Sequence, residues 1–367
     1  MRIGIDAGRI AHGRGGVASY TRELIRALAG PDVEHEIVLF DLDGHGLVPE
    51  VLADAFGELP DRVRVAVGVK PELEALDLFH APGFAVPEIG APNLIFTLHD
   101  LTILSHPECH TLANRVRTLV SVADALARGA TILAVSEATR REALRLLALP
   151  VETLEVLPPV LNPCFGARSD VRADEAIAQR LGIDDFFVLA VGSLEPRKNL
   201  ERLLDAWAVL SDRLRQSHQL VVVAADGWRQ RTILRRLDGL ARTASVIRVG
   251  PLRDDELAAL YRRARALVFP SLAEGFGLPV AEAMACGAPV VTSNTSSLPE
   301  VAGDAAILVD PEDADEIAVA IARVLEDEAL RRGLRERGFE RSIRFSRNAV
   351  LPRLLEIYRR ASQRSNV

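Results

Sequence analysis

The chain has 367 residues, a length that suits two ordinary globular domains. Hydrophobic residues make up 49% and charged residues 26% of the sequence, which excludes a mainly disordered chain. The formal net charge of −7 argues against nucleic acid as the principal partner, because binding a phosphate backbone needs a basic surface.

Short β-branched runs alternate with helical patterns in the first half of the chain. The predicted strands are Ile3–Asp6, Glu36–Phe40, Val63–Val67, Asp77–His80, Leu94–Leu98 and Thr131–Val135. The predicted helices are Val17–Leu28, Leu112–Arg128 and Glu137–Leu147. Ser136 stands where an N-cap belongs, directly before the last of these helices. Strand and helix alternation of this kind indicates βαβ units on a parallel sheet.

A proline-rich segment separates the first half from the second. Leu157–Pro163 contains three prolines, which lack a backbone donor and fix φ, so we place an interdomain linker there. The alternation then restarts with predicted strands Phe187–Val191, Gln219–Ala225, Ser245–Val249, Ala266–Phe269, Pro289–Thr292 and Ala306–Val309. The predicted helices are Asn199–Leu214, Asp254–Arg265, Pro279–Cys286 and the tail from Asp313 onward.

Two such halves predict an α/β protein with two Rossmann-like, doubly wound parallel-sheet domains that face each other across a cleft. We expect the first domain at residues 1–165 and the second at residues 166–349. We expect a C-terminal helix at about 350–367 to pack back on the first domain. Open α/β sheets bind ligands beyond the carboxyl ends of their strands, so the residues at those ends are the candidate functional residues.

The richest strand end is the segment Pro270–Met284. Gly275 and Gly277 leave its backbone uncrowded, and the helix that follows offers its N-terminus to an anion such as phosphate. Glu274 and Glu282 could each accept hydrogen bonds from a polyol such as a sugar or a ribose. The alternative is that Glu274 caps backbone amides and that Glu282 is a solvated helix residue.

A second strand end, Gly192–Leu200, carries two cations. Arg197 and Lys198 follow the predicted strand Phe187–Val191 and precede a helix. A diphosphate leaving group needs such charge, because Arg offers a planar bidentate fork and Lys a point charge. The alternative is an exposed turn with two ordinary surface cations.

The first domain offers two further strand ends. Gly13–Gly16 opens a helix after the first strand, as a phosphate or sugar loop does, although a flexible surface turn would have the same composition. The glycine spacing departs from G-x-G-x-x-G, so an NAD site is a weak interpretation. His99 ends the strand Leu94–Leu98 and could meet a bound sugar, the alternative being a structural pair with Asp100.

Two patterns raise the question of a metal site. Asp41 and Asp43 form a D-x-D sequence, which could hold Mg²⁺ through phosphates, but the segment is typical of a turn after a strand. His106, Cys109 and His110 lack an evident fourth ligand for zinc. We therefore expect neither a metal nor a cofactor.

The cellular location is predicted from the cysteines, the chain start and the tail. The three cysteines are far apart, and no apolar run approaches the ~18 residues of a membrane span, so we expect a cytoplasmic protein without a signal peptide. From Arg331 to Val367 there are eleven arginines against three glutamates. This tail is either a solvated helical face or a basic strip that contacts the inner membrane face.

Taken together, these stretches resemble glycosyltransferase family 4, whose members are retaining enzymes of GT-B fold. In the second half the resemblance is carried by Pro270–Met284, Cys286–Val291 and Leu298–Ala306. Elsewhere it is carried by Gly192–Asn199, Asp77–His80, His99–Thr102 and Val135–Thr139. The sequence departs from the family pattern at Pro158–Asn162 and at Ala224–Gly227, which leaves loop contacts and base recognition there open.

The resemblance implies a role for each matching residue. Glu282 would hold the donor ribose, Glu274 would lie by the transferred sugar, and His99 would border the far end of that sugar. The remaining implied donor contacts are the backbone of Gly275, Phe276 and Gly277 at the sugar, and Arg197, Lys198, Gly15, Gly16 and Leu278 at the diphosphate. We expect Arg197, Lys198, Glu274 and His99 to be the catalytic residues.

The sequence of Gly192–Asn199 is similar to the corresponding motif of a subgroup with many mannosyltransferases, which use GDP-mannose for cell-surface polysaccharides. The resemblance thus implies transfer of a hexose, with mannose preferred, to a glycan or lipid-linked saccharide acceptor. It favours front-face transfer, although a covalent intermediate on Glu274 stays open. Two other classes stay open as well: an epimerase or hydrolase of the same fold, and a non-catalytic nucleotide-sugar-binding protein.

Overall fold

The computed structural model describes residues 1–12, 15–66, 69–87, 93–167, 170–241 and 246–363. Four positions of the predicted elements, Gly13, Arg14, Val67 and Ser245, lie outside the described residues, as do the last four residues of the predicted C-terminal helix.

The strands of the first half are β1 (Arg2–Asp6), β2 (Glu36–Phe40), β3 (Val63–Val65), β4 (Leu78–Ala81), β5 (Leu94–Leu98), β6 (Thr131–Ala134) and β7 (Leu154–Val156). The helices of the first half are α1 (Gly16–Leu28), α2 (Pro49–Phe56), α3 (Val69–Glu74), α4 (Thr102–Ser105), α5 (Leu112–Ala127) and α6 (Glu137–Leu147).

The strands of the second half are β8 (Phe187–Ser193), β9 (Gln219–Ala225), β10 (Val246–Val249), β11 (Ala266–Phe269), β12 (Val290–Ser293) and β13 (Ala306–Val309). Its helices are α7 (Val171–Arg180), α8 (Leu200–Val209), α9 (Asp212–Ser217), α10 (Arg231–Ala241), α11 (Asp254–Arg263), α12 (Leu278–Cys286), α13 (Leu298–Ala302), α14 (Ala314–Glu326), α15 (Glu328–Ser342) and α16 (Arg347–Ser362).

The chain divides into two compact units. The first contains residues 1–105, 112–160 and 345–367, so α16 belongs to it. The second contains residues 106–111 and 161–344. In the first unit α16 packs against α1 and β4, and the buried Tyr358 hydroxyl lies 2.6 Å from His80 Nδ1 on β4.

Within the described residues, the first unit has one seven-stranded parallel sheet in the order β3-β2-β1-β4-β5-β6-β7. The strand order reverses between β1 and β4, which pair in parallel with Ile5 opposite His80. Both faces of this sheet are covered, so its strands are near-continuous apolar runs, as a parallel sheet requires. The crevice at the carboxyl ends of β1 and β4 is a ligand position for this type of sheet.

The second unit has one six-stranded parallel sheet, in the order β10-β9-β8-β11-β12-β13 among the described residues. Here the order reverses between β8 and β11, which places the loops after Ser193 and after Phe269 side by side. The core of this unit packs Trp207 of α8, only 1% exposed, over the apolar strands. The predicted fold class, two Rossmann-like parallel-sheet domains, is confirmed.

Sequence patterns misplaced some element boundaries. The predicted helix Asn199–Leu214 is two helices, α8 and α9, because Leu210 adopts an extended conformation (φ −60°, ψ 152°). The predicted tail helix is three helices, separated where the side chain of Asp327 caps α15 and where a 3-10 turn precedes α16. Several elements were not predicted, namely β7, α2, α3, α4, α7, α10 and α13. No helix among the described residues has the length and apolar character needed to cross a bilayer.

Candidate active site

Two loops meet at the point where the second sheet reverses its strand order. The loop after β8 carries Arg197 and Lys198, and the loop after β11 carries Glu274. The Leu272 amide donates to the Arg197 carbonyl across 2.9 Å, which fixes the two loops against each other. The segments that the sequence analysis treated as two separate strand ends therefore form one site.

Four charged side chains interlock in this site. Arg197 Nη1 donates to Glu274 Oε2 at 2.6 Å, and Arg197 Nη2 donates to Glu195 Oε1 at 2.8 Å. Lys198 Nζ donates to Glu274 Oε1 at 2.7 Å and lies 5.2 Å from the Phe269 ring centroid. Arg197 and Glu274 are each only 9% exposed, so Arg197 is not an exposed surface cation.

The charges set the protonation state of Glu274. Burial by itself raises the pKa of this carboxyl, but the nearby charges of Arg197 and Lys198 outweigh it and lower the pKa to about 2. Glu274 is therefore a carboxylate at physiological pH. Two carboxylates and two cations balance one another, so the quartet of Glu195, Arg197, Lys198 and Glu274 carries no net charge.

Asn199 ties the loop after β8 to two other strand ends. Its Nδ2 donates to the Pro270 carbonyl at 3.0 Å and to the Pro311 carbonyl at 2.6 Å. Its backbone is left-handed (φ 55°), a conformation that Asn tolerates better than most residues do. These bonds hold Lys198 at a fixed distance from the loop after β11.

The glycine loop before α12 is shaped by Gly277. Gly277 has φ 103°, and a Cβ added there would lie 2.7 Å from Leu298 Cδ2, so only glycine fits. No side chain caps α12, whose N-terminal residue is Leu278. Gly192, Lys198 and Phe269 are among the residues that line a small pocket at the end of β8. The uncapped N-terminus of α12 follows the loop of Glu274, which binds Lys198, and such an N-terminus suits an anion.

Serines after β12 hold the glycine loop from the other side. Ser296 Oγ accepts from the Glu274 amide at 2.9 Å. Ser297, which is fully buried, donates to the Glu274 and Phe276 carbonyls at 2.9 Å and 2.8 Å. The backbone of Glu274 is therefore fixed on both sides, as a site that must pre-align a reacting group requires.

Glu282 lies on α12, where Tyr261 of α11 donates its hydroxyl to Glu282 Oε2 at 3.1 Å. Burial and then the charge of Glu282 raise the pKa of Tyr261 well above its usual range, so this phenol stays a donor. The bond orients the carboxylate. Glu282 is thus a held side chain on a partly buried face, not a freely solvated helix residue.

The remaining predicted residues lie in the first unit. His99 follows β5, donates from Nε2 to the Pro82 carbonyl at 2.7 Å and packs edge-on against the Tyr20 ring. Burial lowers the pKa of His99, so the ring is neutral at physiological pH. Asp100 does not orient His99 through a hydrogen bond and instead accepts from Thr102. Gly15 and Gly16 are exposed at the start of α1, with no side chain capping that helix.

The sequence analysis missed four residues that shape the site: Glu195, Tyr261, Ser296 and Ser297. Ser296 and Ser297 had a usable signal, because serines directly before Leu298-Pro299 mark a helix start after a strand. Tyr261 had none, since its partner Glu282 is 21 positions away. Asp6 was also missed: it is 3% exposed at the end of β1, and burial raises its pKa to about 6.

No group of three or more His, Cys, Asp or Glu side chains within the described residues has the arrangement of a metal site. The site instead combines two cations and an uncapped helix start with carboxylates and backbone groups that can hydrogen-bond hydroxyls. This combination suits transfer of a group whose leaving portion is a diphosphate.

Comparison with known proteins bears on this chemistry. Residues 173–341 match the family model described as Glycosyl transferases group 1. The chain is 33% identical over 270 residues to O-antigen chain mannosyltransferase B of Escherichia coli, covering 73% of this chain and 70% of that protein. It is 29% identical over 341 residues to the serotype-specific mannosyltransferase WbdA of E. coli, covering 91% of this chain but only 37% of WbdA.

A solved structure shares the fold of the whole chain. Anabaena Alr3699/HepE in complex with UDP-glucose superposes with a TM-score of 0.75 at 18% sequence identity, covering 98% of this chain and 100% of the other. At that identity the likeness shows the fold alone: each unit has a parallel α/β sheet, as the domains of GT-B proteins do.

Proposed function

The chain belongs to the group 1 glycosyl transferases, and from this membership we propose that it transfers a hexose from a nucleotide-diphosphate donor to the hydroxyl of a glycan or lipid-linked acceptor. We propose mannose as the sugar, GDP-mannose as the donor and cell-surface polysaccharide synthesis as the setting. Support for mannose comes from two E. coli relatives that are named mannosyltransferases. The solved relative with bound UDP-glucose supports a nucleotide-sugar donor in general.

One observation carries the proposal: Lys198 and Arg197 meet the glycine loop before α12. In the proposed mechanism the donor diphosphate binds between Lys198 and the α12 N-terminus. Negative charge grows on the diphosphate as the bond to the sugar breaks, and a fixed cation in a water-poor site stabilises it. Glu274 would exchange its bond with Lys198 for contacts to the sugar.

The other roles follow from the positions of the side chains. Glu282, oriented by Tyr261, would accept hydrogen bonds from the ribose hydroxyls. Gly275, Phe276, Gly277 and Leu278 would contact the sugar and the diphosphate through their backbone, and Gly15, Gly16 and His99 would contribute from the first unit. The second unit would be the donor domain and the first unit the acceptor domain.

We propose that transfer is metal-independent and retains the anomeric configuration by front-face attack. Glu274 Oε2 accepts a charged hydrogen bond from Arg197, which makes that oxygen a poor nucleophile. Attack and departure on one face would let the leaving phosphate oxygen take the acceptor proton. NMR of the product linkage distinguishes retention from inversion, and trapping with a slow fluorinated donor would reveal any covalent sugar on Glu274.

A panel of nucleotide sugars tests the donor. GDP-, UDP- and ADP-sugars are added to the full chain, and the shift in Tm is measured, since a ligand that binds the folded state raises its stability. GDP-mannose is expected to give the largest shift. Products are then analysed with donor alone and with donor plus acceptor. Hydrolysis or epimerisation with no transfer to any acceptor would contradict the proposal.

We propose that the protein works in the cytoplasm and contacts the inner membrane face. Support comes from α5, on which Leu112, Val116 and Val120 project an exposed apolar stripe, at 72%, 51% and 62% exposure. Exposed apolar stripes at this spacing are typical of helices that lie in a membrane interface. Sedimentation with anionic vesicles, compared between the wild type and Val116→Asp, tests the contact.

A further inference from the structure

Two arginines of the first unit converge on one aromatic ring. Arg9 lies in the 3-10 turn Gly8–His12 directly after β1, and Arg117 lies on α5. Their guanidinium carbons lie 5.4 Å and 4.8 Å from the ring centroid of Phe84. A single ring thus lies within cation–π distance of two positive charges.

Neither arginine has a carboxylate partner. Among the residues that the structure describes, no ion pair reaches Arg9 or Arg117. Burial, and then the charge of Arg9, lower the pKa of Arg117, and the charge of Asp43 offsets only part of this. Two like charges held together without a counter-ion repel each other, and a bound anion relieves the repulsion.

The position of the pair in the fold is that of a ligand site. Arg9 follows β1 and Phe84 follows β4, the two strands between which the first sheet reverses its order. A Cβ on Gly83 would lie 3.5 Å from Arg9 Cγ and 3.9 Å from Asp6 Oδ2, so the backbone there is close to both side chains. Asp6 Oδ1 accepts from the Gly8 and Leu42 amides, which ties this carboxyl to the backbone.

A neighbouring surface indicates what carries the anion. Arg117 lies on α5, the helix that also carries the exposed apolar stripe of Leu112, Val116 and Val120. A phosphoryl group placed beside an apolar surface is the chemistry of a lipid-linked phosphate. The planar fork of Arg suits such a group better than a point charge does.

We propose that Arg9 and Arg117 bind a phosphoryl group of the acceptor, so that the acceptor is a saccharide linked to an apolar chain through phosphate. This inference rests on the sugar transfer proposed above and names the class of its acceptor. Phe84 is a positioning residue, because both guanidinium groups lie against its ring.

Octyl phosphate is the probe, titrated into the full chain by isothermal calorimetry. Arg9→Gln and Arg117→Gln are each expected to weaken its binding about tenfold or more, because each removes one charged hydrogen-bond donor. Arg128→Gln, at the end of the same helix, and Lys198→Gln, in the second unit, are expected to bind within about twofold of the wild type. Inorganic phosphate, run in parallel, is expected to bind more weakly because it lacks the apolar chain.

Three results would overturn the inference: no binding by the wild type, equal binding by the arginine variants, or a loss of binding in Lys198→Gln that matches theirs. The melting temperature of each variant without ligand checks folding. Arg117 is exposed, so Arg117→Gln carries the test if Arg9→Gln unfolds.

The outcome is separable from that of the donor panel. If no nucleotide sugar stabilises the protein but octyl phosphate binding depends on both arginines, the sugar-transfer proposal fails and the anion site stands. If a donor binds but the affinity for octyl phosphate is the same in the arginine variants as in the wild type, only the present inference fails.

Discussion

Lys198 Nζ donates to Glu274 Oε1 across 2.7 Å, although the two residues are 76 positions apart in the chain. The bond completes a quartet without net charge, which avoids the cost of a buried unpaired charge. A diphosphate that reaches Lys198 must compete with Glu274 for the ammonium. The pair therefore couples donor binding to a rearrangement of Glu274.

Replacing Lys198 with alanine tests where that charge acts. Lys198→Ala is expected to lower kcat about 10²- to 10³-fold and to weaken donor binding far less, because the diphosphate gains charge mainly in the transition state. Steady-state kinetics and a donor titration measure the two effects. Lys198→Arg keeps the charge and should recover part of kcat. Equal losses in kcat and in donor affinity would contradict this view.

Glu282 is expected to act on donor binding and not on the chemical step. Glu282→Gln should weaken donor affinity about tenfold or more, since charge-assisted hydrogen bonds to hydroxyls contribute about 1.5–3 kcal/mol, with kcat at saturating donor nearly unchanged. Tyr261→Phe keeps the carboxylate but removes its orienting bond, and should have a smaller effect of the same kind. A variant that loses kcat while keeping its donor KM would place Glu282 in the chemistry instead.

Sequence patterns predicted both parallel sheets and the two strand ends that meet in the site, because β-branched runs and loop glycines are local signals. Gly277 illustrates this: its left-handed backbone and its approach to Leu298 demand a glycine, and a glycine-rich loop before a helix is visible in the sequence. The resemblance of Gly192–Asn199 to the family motif implied roles for individual residues, which no local sequence pattern indicates.

Sequence patterns could not predict partners distant along the chain. Nothing near Glu274 indicates that both its oxygens bind cations, since those cations lie on another loop. Likewise nothing in the sequence near Arg9 or Arg117 indicates that both lie against the ring of Phe84. The break between α8 and α9 was missed because Leu210 is apolar and continues the helical pattern, although its backbone is extended.

The lowered pKa of Glu274 makes stability depend on pH. The carboxyl has an ordinary pKa of 4.5 and a pKa of about 2 in the folded protein, so the folded state binds this proton less tightly than the unfolded chain does. The contribution of the Glu274 carboxylate to the free energy of unfolding is therefore present above pH ~4.5 and is lost as the pH falls toward 2. The difference between the two pKa values corresponds to about 3 kcal/mol.

Urea unfolding of the wild type and of Glu274→Gln across this range measures the contribution. The gap between their free energies of unfolding is expected to be widest above about pH 5 and to shrink by about 3 kcal/mol toward pH 2. Glu340→Gln, a change at an exposed position, provides a control whose gap should stay constant. A gap for Glu274→Gln that does not change with pH would show that the ion pairs do not stabilise the fold.

Asn199 is expected to stabilise the site through both its backbone and its amide. Asn199→Ala places a side chain without local hydrogen bonding at φ 55° and removes the donors to Pro270 and Pro311, so unfolding should become easier by about 2–4 kcal/mol. Asn199→Gly relieves the backbone but not the lost bonds, and should recover about 1 kcal/mol. Asn199→Asp can adopt the same left-handed backbone but cannot donate hydrogen bonds to Pro270 and Pro311. Its loss of stability therefore reports on those two bonds.

Chemical unfolding of the three Asn199 variants ranks their losses of stability. Donor affinity, measured for the same variants, shows whether the substitutions also disturb the site. Because the Pro270 carbonyl begins the loop that holds Glu274, Asn199→Ala and Asn199→Asp should both weaken donor binding, while Asn199→Gly adds backbone freedom to the same loss. If Asn199→Asp were as stable as the wild type and bound donor equally well, the two amide bonds would have no part in fixing the loops, and Lys198 would owe its position to the ion pairs alone.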